Sequence, residues 1–179
     1  HGVDDVDSRH QQRDRRNAAE NHLAVHDLLL HFLALLVHRV GVREPQVMDG
    51  CFNVGDIAAV KVSGLGDRLI DKVNDAKEDV LADGIQTFPD RTDRVYLNPE
   101  ACSVIHDDAL NRNIDVVHHH HLNVVGWNPG PALSVSMGDM PDDGYKTFVC
   151  VETAYASETQ KVTKEKPAHL AQSIRVAKR

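Results

Sequence analysis

The sequence has few cysteines, no long apolar run and no excess of basic charge, and each shortage excludes a class of protein. Its three cysteines, Cys51, Cys102 and Cys150, show no metal-like spacing and cannot all pair with one another. This favours reduced thiols and a cytoplasmic location over a disulfide scaffold; we interpret Cys150 as a core residue. The net charge of −7, without a basic stripe, argues against nucleic acid as a partner.

The longest uninterrupted apolar run, residues 32–37, is far shorter than the roughly 20 residues that a membrane-spanning helix needs. We therefore expect no membrane segment. Apolar residues at helical spacing predict instead an amphipathic helix over residues 21–40.

Composition changes near Gly50. Residues 1–50 contain six Arg but no Lys, Thr, Ile, Tyr or Trp, whereas residues 51–179 contain eight Lys, six Arg and six Thr. We predict that residues 1–50 are a leader, disordered or with one short helix, and that residues 51–179 form the single domain. We hypothesise that the leader comes from a shifted reading frame or a fusion junction.

After Gly50 the sequence is typical of an all-β protein. Short segments rich in β-branched residues are separated by turn signals such as Asn128-Pro129-Gly130-Pro131. Their spacing predicts an antiparallel β-sandwich rather than an α/β fold. The predicted strands are residues 57–62, 94–97, 102–106, 113–119, 132–137, 148–154 and 171–176.

Glu152 is the candidate reactive residue because it lies in an otherwise apolar run, Phe148-Val149-Cys150-Val151-Glu152-Thr153-Ala154. The period of a strand places Phe148, Cys150 and Glu152 on one face. Apolar surroundings raise the pKa of a carboxyl group toward the range useful to a general base. The alternative is a glutamate on an edge strand that faces solvent.

Three segments resemble one known family: FNVGDI from Phe52, DGIQTFPDRTDRVYLNPEACSVIHDDALNR from Asp83, and NVVGWNPG with MGDMPDDGYKTFVCVETA. Together with KPAHLAQSIRV near the C-terminus, they resemble the hexose-6-phosphate mutarotases, or glucose-6-phosphate 1-epimerases, of the aldose 1-epimerase superfamily. The resemblance covers residues 52–179 and stops near Gly50.

The resemblance implies the second half of a large antiparallel sandwich of the galactose mutarotase type. It also implies an isomerase that interconverts the α and β anomers of hexose 6-phosphates without a cofactor or metal, with a small sugar phosphate as its partner. Two alternatives stay open: an epimerase of unphosphorylated aldoses, and an inactive fragment that binds sugar phosphates. A half sandwich exposes unpaired strand edges, so we expect a weakly stable or self-associating chain.

Mutarotation requires one group to take the proton of the C1 hydroxyl and another to protonate the ring oxygen. The family's base, a Glu in a VCVE strand, corresponds to Glu152. Its acid, a His in an HTYFNV-like motif, corresponds to Asp49 in DGCFNV. An ordinary aspartate, with a pKa of about 3.9, has no proton to give at neutral pH; this substitution predicts impaired activity.

Three further residues are candidates for substrate binding. Asp93 matches an acidic position of the family that faces the sugar, although it could instead be an ion-pair partner of Arg94. Arg94, with Arg91, could contact the phosphate or form a salt-bridged turn. Trp127 could pack on the pyranose or belong to the core.

The run His118-His119-His120-His121 also offers metal ligands. On a strand, His118 and His120 would share one face and His119 and His121 the other. Two imidazoles do not complete a site, so we predict weak adventitious nickel or zinc binding and no functional metal.

Overall fold

The computed structural model describes residues 41–43, 46–158, 160–163 and 167–179, and most of its elements are strands. The helix predicted over residues 21–40 lies outside the described residues. The strands are β1 (Gly41–Arg43), β2 (Gln46–Met48), β3 (Cys51–Asn53), β4 (Val60–Ser63), β5 (Arg68–Asp71), β6 (Lys77–Val80), β7 (Thr92–Tyr96), β8 (Cys102–Asp107), β9 (Arg112–His119), β10 (Asn123–Asn128), β11 (Phe148–Tyr155), β12 (Gln160–Val162) and β13 (Ala171–Lys178).

Helical structure among the described residues is short. It comprises α1 (Gly130–Ser134) and the 3₁₀ helices Ile57–Ala59, Asp108–Leu110 and Gly144–Thr147. No helix in this part of the chain is long and apolar enough to cross a membrane.

The described strands form three antiparallel sheets within one compact unit, Val40–Met137 with Pro141–Arg179. The largest has the order β2-β11-β10-β7-β5-β6, and β3 pairs with β11 beside β2. The second has the order β13-β9-β8-β4, and β1 pairs with β12 alone. The predicted all-β antiparallel fold is confirmed.

The main core consists of side chains that the two larger sheets contribute. The larger sheet supplies Leu69, Tyr96 and Val149, and the four-stranded sheet supplies Val62 and Ile105, all at most 1% exposed. Such interdigitated apolar faces are the basis of a β-sandwich. The opposite face of the larger sheet is therefore turned away from the main core.

A second apolar cluster lies on that other face of the larger sheet. It is built from Val95, Val125 and Ala154, with partly buried residues packed against them, Ile70, Leu97, Trp127 and Ala156. This surface, which we call the outer face, carries the candidate site.

Two of the predicted strands are wrong in whole or in part. Residues 57–62 begin as a 3₁₀ helix, because the carboxylate of Asp56 accepts the Ala58 N–H at 3.0 Å. Residues 132–137 are not a strand. There, Asn128 Oδ1 accepts the Gly130 N–H at 2.9 Å and Ser134 Oγ donates to the Gly130 carbonyl at 2.7 Å, which closes the turn of α1.

Strands begin earlier in the chain than the compositional boundary at Gly50. β1 pairs with β12, and β2 pairs with β11 next to β3. Within the predicted leader, residues 41–43 and 46–48 therefore belong to the sheets.

Candidate active site

Glu152 lies in the interior of the larger sheet, on β11. Val149 and Val151 are fully buried in the main core, whereas Phe148, Cys150 and Glu152 share the outer face. The predicted common face of these three residues is confirmed by this strand.

The neighbours of Glu152 on the outer face are apolar. Glu152 pairs with Val125 of β10, and Val125 pairs with Val95 of β7. β11 has strands on both sides, and Glu152 is only partly exposed. The alternative of a solvent-facing glutamate on an edge strand is therefore wrong.

These surroundings raise the pKa of Glu152 from 4.5 to about 8. The largest cause is desolvation, which disfavours the charged carboxylate. The charges of Asp49 and Asp93 raise the pKa further, whereas Lys72 lowers it. Glu152 can therefore exist in both protonation states near neutral pH, as a group that exchanges protons with a substrate must.

Asp49 precedes β3 and has an exposed side chain. Its backbone carbonyl accepts the side-chain N–H of Gln172 at 2.9 Å, which ties this segment to β13. Gly50, the next residue, has its carbonyl bonded to the N–H of Val151 at 2.8 Å. Asp49 is thus held beside β11, within electrostatic range of Glu152.

Asp93 also lies on the outer face, because it alternates with the buried Thr92 and with Arg94 along β7. Its carboxylate forms an ion pair with Lys72 Nζ at 3.5 Å, and its carbonyl accepts the Lys72 N–H at 2.8 Å. The ion-pair partner of Asp93 is therefore Lys72. Nothing in the local sequence around Lys72 marks it as part of a site, and our sequence analysis missed it.

Trp127 lies on β10. It pairs with Asp93 on one side and with Cys150 on the other, and its ring centroid is 5.9 Å from that of Phe148. The indole is partly buried against the second apolar cluster. Trp127 therefore both packs in this cluster and lies between Asp93 and β11.

The structure does not bring Arg94 to the outer face. Its guanidinium donates to Asp71 Oδ2 at 3.0 Å and to Gln86 Oε1 at 2.7 Å. The Tyr96 hydroxyl donates to the same Gln86 oxygen at 2.6 Å, so the arginine completes a polar network on the core side of the sheet. Arg91 is exposed, in the loop before β7.

A disulfide joins Cys51 of β3 to Cys150 of β11, directly beside Glu152. The expectation of three reduced cysteines is wrong for this pair; Cys102 is free and partly buried. Cys150 is 1% exposed, as expected of a core residue. The two Sγ atoms and a Glu152 carboxylate oxygen lie within 4.8 Å of one another.

The histidine run is divided between core and surface. His118 is 4% exposed, between Thr153 Oγ1 at 2.8 Å and Ser103 Oγ at 2.9 Å, and burial lowers its pKa to about 4. β9 ends at His119, and His120 adopts a left-handed conformation with φ 57°. The predicted alternation of faces therefore fails at His120, and His118 is a neutral structural residue.

The chain matches the family model of aldose 1-epimerase over residues 51–172. It is 89% identical over 128 residues to a protein of Escherichia coli K12 named "Putative glucose-6-phosphate 1-epimerase", covering 72% of this chain and 44% of that protein. A Haemophilus influenzae protein of the same name is 31% identical over 103 residues, 58% of this chain and 36% of that protein.

A crystal structure described as a "putative mutarotase (YeaD)" from Salmonella typhimurium superposes with a TM-score of 0.74 and 79% identity. The superposition covers 78% of this chain and 48% of that structure. The chain thus spans less than half the length of the curated relatives it matches.

Proposed function

The chain belongs to the aldose 1-epimerase family, and on this premise we propose that it interconverts the α and β anomers of hexose 6-phosphates by acid–base ring opening. The observation that carries the proposal is the partly buried Glu152 on the outer face, whose pKa is raised to about 8. A carboxyl group with this pKa is a suitable proton acceptor near neutral pH. The cytoplasmic location expected from the sequence stays a prediction.

In this proposal Glu152 takes the proton of the C1 hydroxyl as the pyranose opens. Only the ionised form can do so, and with a pKa of about 8 about one in ten Glu152 side chains is ionised at pH 7. Because desolvation disfavours its charge, the ionised Glu152 carboxylate is a stronger base than a glutamate side chain in water. When the ring closes on the other face of C1, the same carboxyl group returns the proton.

The proton for the ring oxygen must come from a second group. By the resemblance, Asp49 corresponds to the family's histidine, and its charge raises the pKa of Glu152. Loss of a well-positioned general acid typically costs about 10²- to 10⁴-fold in rate. We therefore propose a slow enzyme, with water supplying the proton for the ring oxygen.

The substrate-binding groups that we propose are Asp93, Trp127 and Lys72. The Asp93 carboxylate suits paired sugar hydroxyls, and the Trp127 indole offers an apolar surface to the pyranose. The ammonium of Lys72, ion-paired with Asp93 and about half exposed, can attract the phosphate. We do not assign Arg94 to phosphate, because Asp71 and Gln86 already occupy its guanidinium.

A second candidate function is sugar-phosphate binding without catalysis. It is favoured by the aspartate that, by the resemblance, corresponds to the family's acid histidine. An epimerase of unphosphorylated aldoses is the other alternative, and the choice depends on whether a cation such as Lys72 contacts the substrate.

Exchange NMR on α- and β-glucose 6-phosphate, with glucose as competitor, tests these functions directly. Replacing Glu152 with Gln keeps its size but removes its basicity, so anomer exchange should fall by at least about a hundredfold. The matched control is Glu100→Gln, an exposed glutamate away from the outer face. Equal rates in the two variants would disprove the role of Glu152. Binding without exchange in the unaltered chain would favour the binding module.

A further inference from the structure

Cys51, Cys150 and Glu152 form a compact group of metal-binding donors on the outer face. Cys51 and Cys150 face each other across β3 and β11, and Glu152 is the next residue of β11 on the same side. Their ligand atoms all lie within 4.8 Å of one another. In the described structure both sulfur atoms belong to the disulfide, so only its reduction would free them as ligands.

Two thiolates and one carboxylate are a donor set that Zn²⁺ accepts. Zinc binds sulfur at about 2.3 Å and carboxylate oxygen at about 2.0 Å, so neighbouring tetrahedral ligands lie about 3.3 to 3.8 Å apart. Once the disulfide is reduced, the two sulfur atoms must move apart to reach these separations. Cys51 is exposed and its side chain can turn, whereas Cys150 is 1% exposed and held in the sheet.

The charges around the group also favour a cation. The carboxylates of Asp49 and Asp93 are close enough to act electrostatically on Glu152, and Lys72 opposes them. Lys72 is already ion-paired with Asp93. A divalent ion bound between the strands would therefore meet a net negative environment.

We propose that the reduced cysteines 51 and 150, together with Glu152, bind Zn²⁺, and that the disulfide closes this site. Opening it needs two electrons and two protons from a dithiol, which is itself oxidised to a cyclic disulfide while Cys51 and Cys150 become thiols. Both thiols lose their protons when the metal binds. The zinc site does not depend on the proposed function. One consequence does rest on that function: a Glu152 carboxylate bound to zinc cannot take a proton from the sugar.

Cobalt spectroscopy tests the site without reference to activity. Titrating the reduced, metal-free chain with Co²⁺ should produce thiolate-to-cobalt charge-transfer absorption that saturates at one equivalent and disappears when Zn²⁺ is added. The oxidised chain should give no such absorption. Absorption of equal strength in the oxidised chain would overturn the proposal.

Variants identify the ligands. Replacing a residue that merely supports a ligand costs about 10- to 100-fold in metal affinity, so Cys51→Ser and Glu152→Gln should each weaken Zn²⁺ binding by at least about a hundredfold. The controls are Cys102→Ser, which removes the free thiol, and His120→Asn, which removes an exposed imidazole at a left-handed position that Asn tolerates.

Wild-type affinity in the Cys51→Ser chain, with its circular dichroism spectrum unchanged, would exclude the site. Loss of binding in the His120→Asn chain alone would assign the metal to the histidine run instead, which also overturns the proposal. If the metal-free chain does not exchange anomers, the proposed function fails but the cobalt result still decides the site. If it does exchange them, Zn²⁺ should inhibit the reduced chain and spare the oxidised one.

Discussion

Burial and the negative charges of nearby carboxylates both raise the pKa of Glu152. Desolvation among the apolar residues of the outer face is the larger effect, and Asp49 and Asp93 add to it. A raised pKa in the folded state means that the folded chain binds this proton more tightly than the unfolded chain does. Ionisation of Glu152 therefore opposes folding.

The pH dependence of stability should show this opposition. The contribution of Glu152 to stability is fully present below about pH 4.5 and is lost as pH rises to about 8, whereas His118, whose pKa is lowered to about 4, contributes with the opposite sign below about pH 6.5. Glu152→Gln should remove that part of the slope, as measured by urea unfolding at a series of pH values. Asp142→Asn, at an exposed residue, is the control and should leave the slope unchanged. A slope between pH 4.5 and pH 8 that is the same in Glu152→Gln as in the unaltered chain would contradict the raised pKa.

Gly50 is fixed by close packing and not by an unusual backbone angle. A Cβ atom at this position would collide with the carbonyl oxygen of Val151, at the point where that residue bonds to Gly50. The threonine of the family's HTYFNV motif would meet the same oxygen. The segment that carries Asp49 thus depends on glycine to approach β11.

We expect Gly50→Ala to destabilise the fold by about 1 to 3 kcal/mol, because β3 must move away from β11. Gly138→Ala is the control, since a Cβ atom there has no neighbour within 4 Å. Thermal unfolding of the two variants measures the difference. Equal melting temperatures would show that β3 shifts at no cost.

At the scale of elements, the sequence predicted strands from short segments with β-branched residues, whether the strand alternates between buried and partly exposed residues, as β8 does, or is largely exposed, as β13 is. β8, β9, β11 and β13 were located to within two residues at each end. β10 was missed because Gly126 interrupts its pattern. The structure explains this glycine: the ring of Tyr96 lies 3.0 Å from where its Cβ atom would be.

Other parts of the site depend on contacts distant in sequence. The period of a strand was enough to place Glu152 beside Cys150, but not to show that Cys51, 99 residues earlier, reaches the same place. Arg94 and Asp93 are adjacent in sequence, yet alternation places them on opposite faces. The position of Lys72 near the site follows only from its ion pair with Asp93, which the sequence does not predict.

Asp107 links three elements at one end of the sandwich. Its fully buried carboxylate accepts hydrogen bonds from Arg112 Nε at 2.9 Å, Gly55 N–H at 3.1 Å and Leu110 N–H at 3.3 Å. Arg112 also donates to the carbonyl of Asn53 at 2.6 Å. The end of β8 is thereby joined to the segment that follows β3.

We expect Asp107→Ala to destabilise the fold by about 3 to 5 kcal/mol, because it leaves Arg112 and two N–H groups without their acceptor. The neighbouring Asp108→Ala removes an exposed ion pair with Arg179 and should cost at most about 1 kcal/mol. Urea unfolding compares the two. A cost for Asp107→Ala as small as that of its neighbour would show that water replaces the lost carboxylate.

At the scale of the whole molecule, the unpaired edge of β13 in the described structure is the surface where we expect self-association. Among the described strands this eight-residue strand pairs only with β9, and Ile174 and Val176 on it are 54% and 57% exposed. A long edge with apolar side chains pairs readily with another chain. The expected self-association therefore has a specific location in this structure.

Replacing Ile174 with Lys should reduce self-association, because a charge on an edge strand opposes pairing with a second copy. Analytical ultracentrifugation over a range of concentrations measures the effect. Val135→Lys, at a 65% exposed residue outside the sheets, is the matched control and should associate like the unaltered chain. A monomeric unaltered chain, or equal association of both variants, would rule out β13 as the interface.

The position of Trp127 makes its fluorescence sensitive to the state of the cysteine pair. It is the only tryptophan of the chain, and its neighbour across β10 and β11 is Cys150. A disulfide close to an indole quenches its fluorescence by accepting an electron from the excited ring, whereas a thiol quenches it less. We therefore expect the emission of Trp127 to rise when the disulfide between Cys51 and Cys150 is reduced, which would follow the state of the cysteine pair without a label.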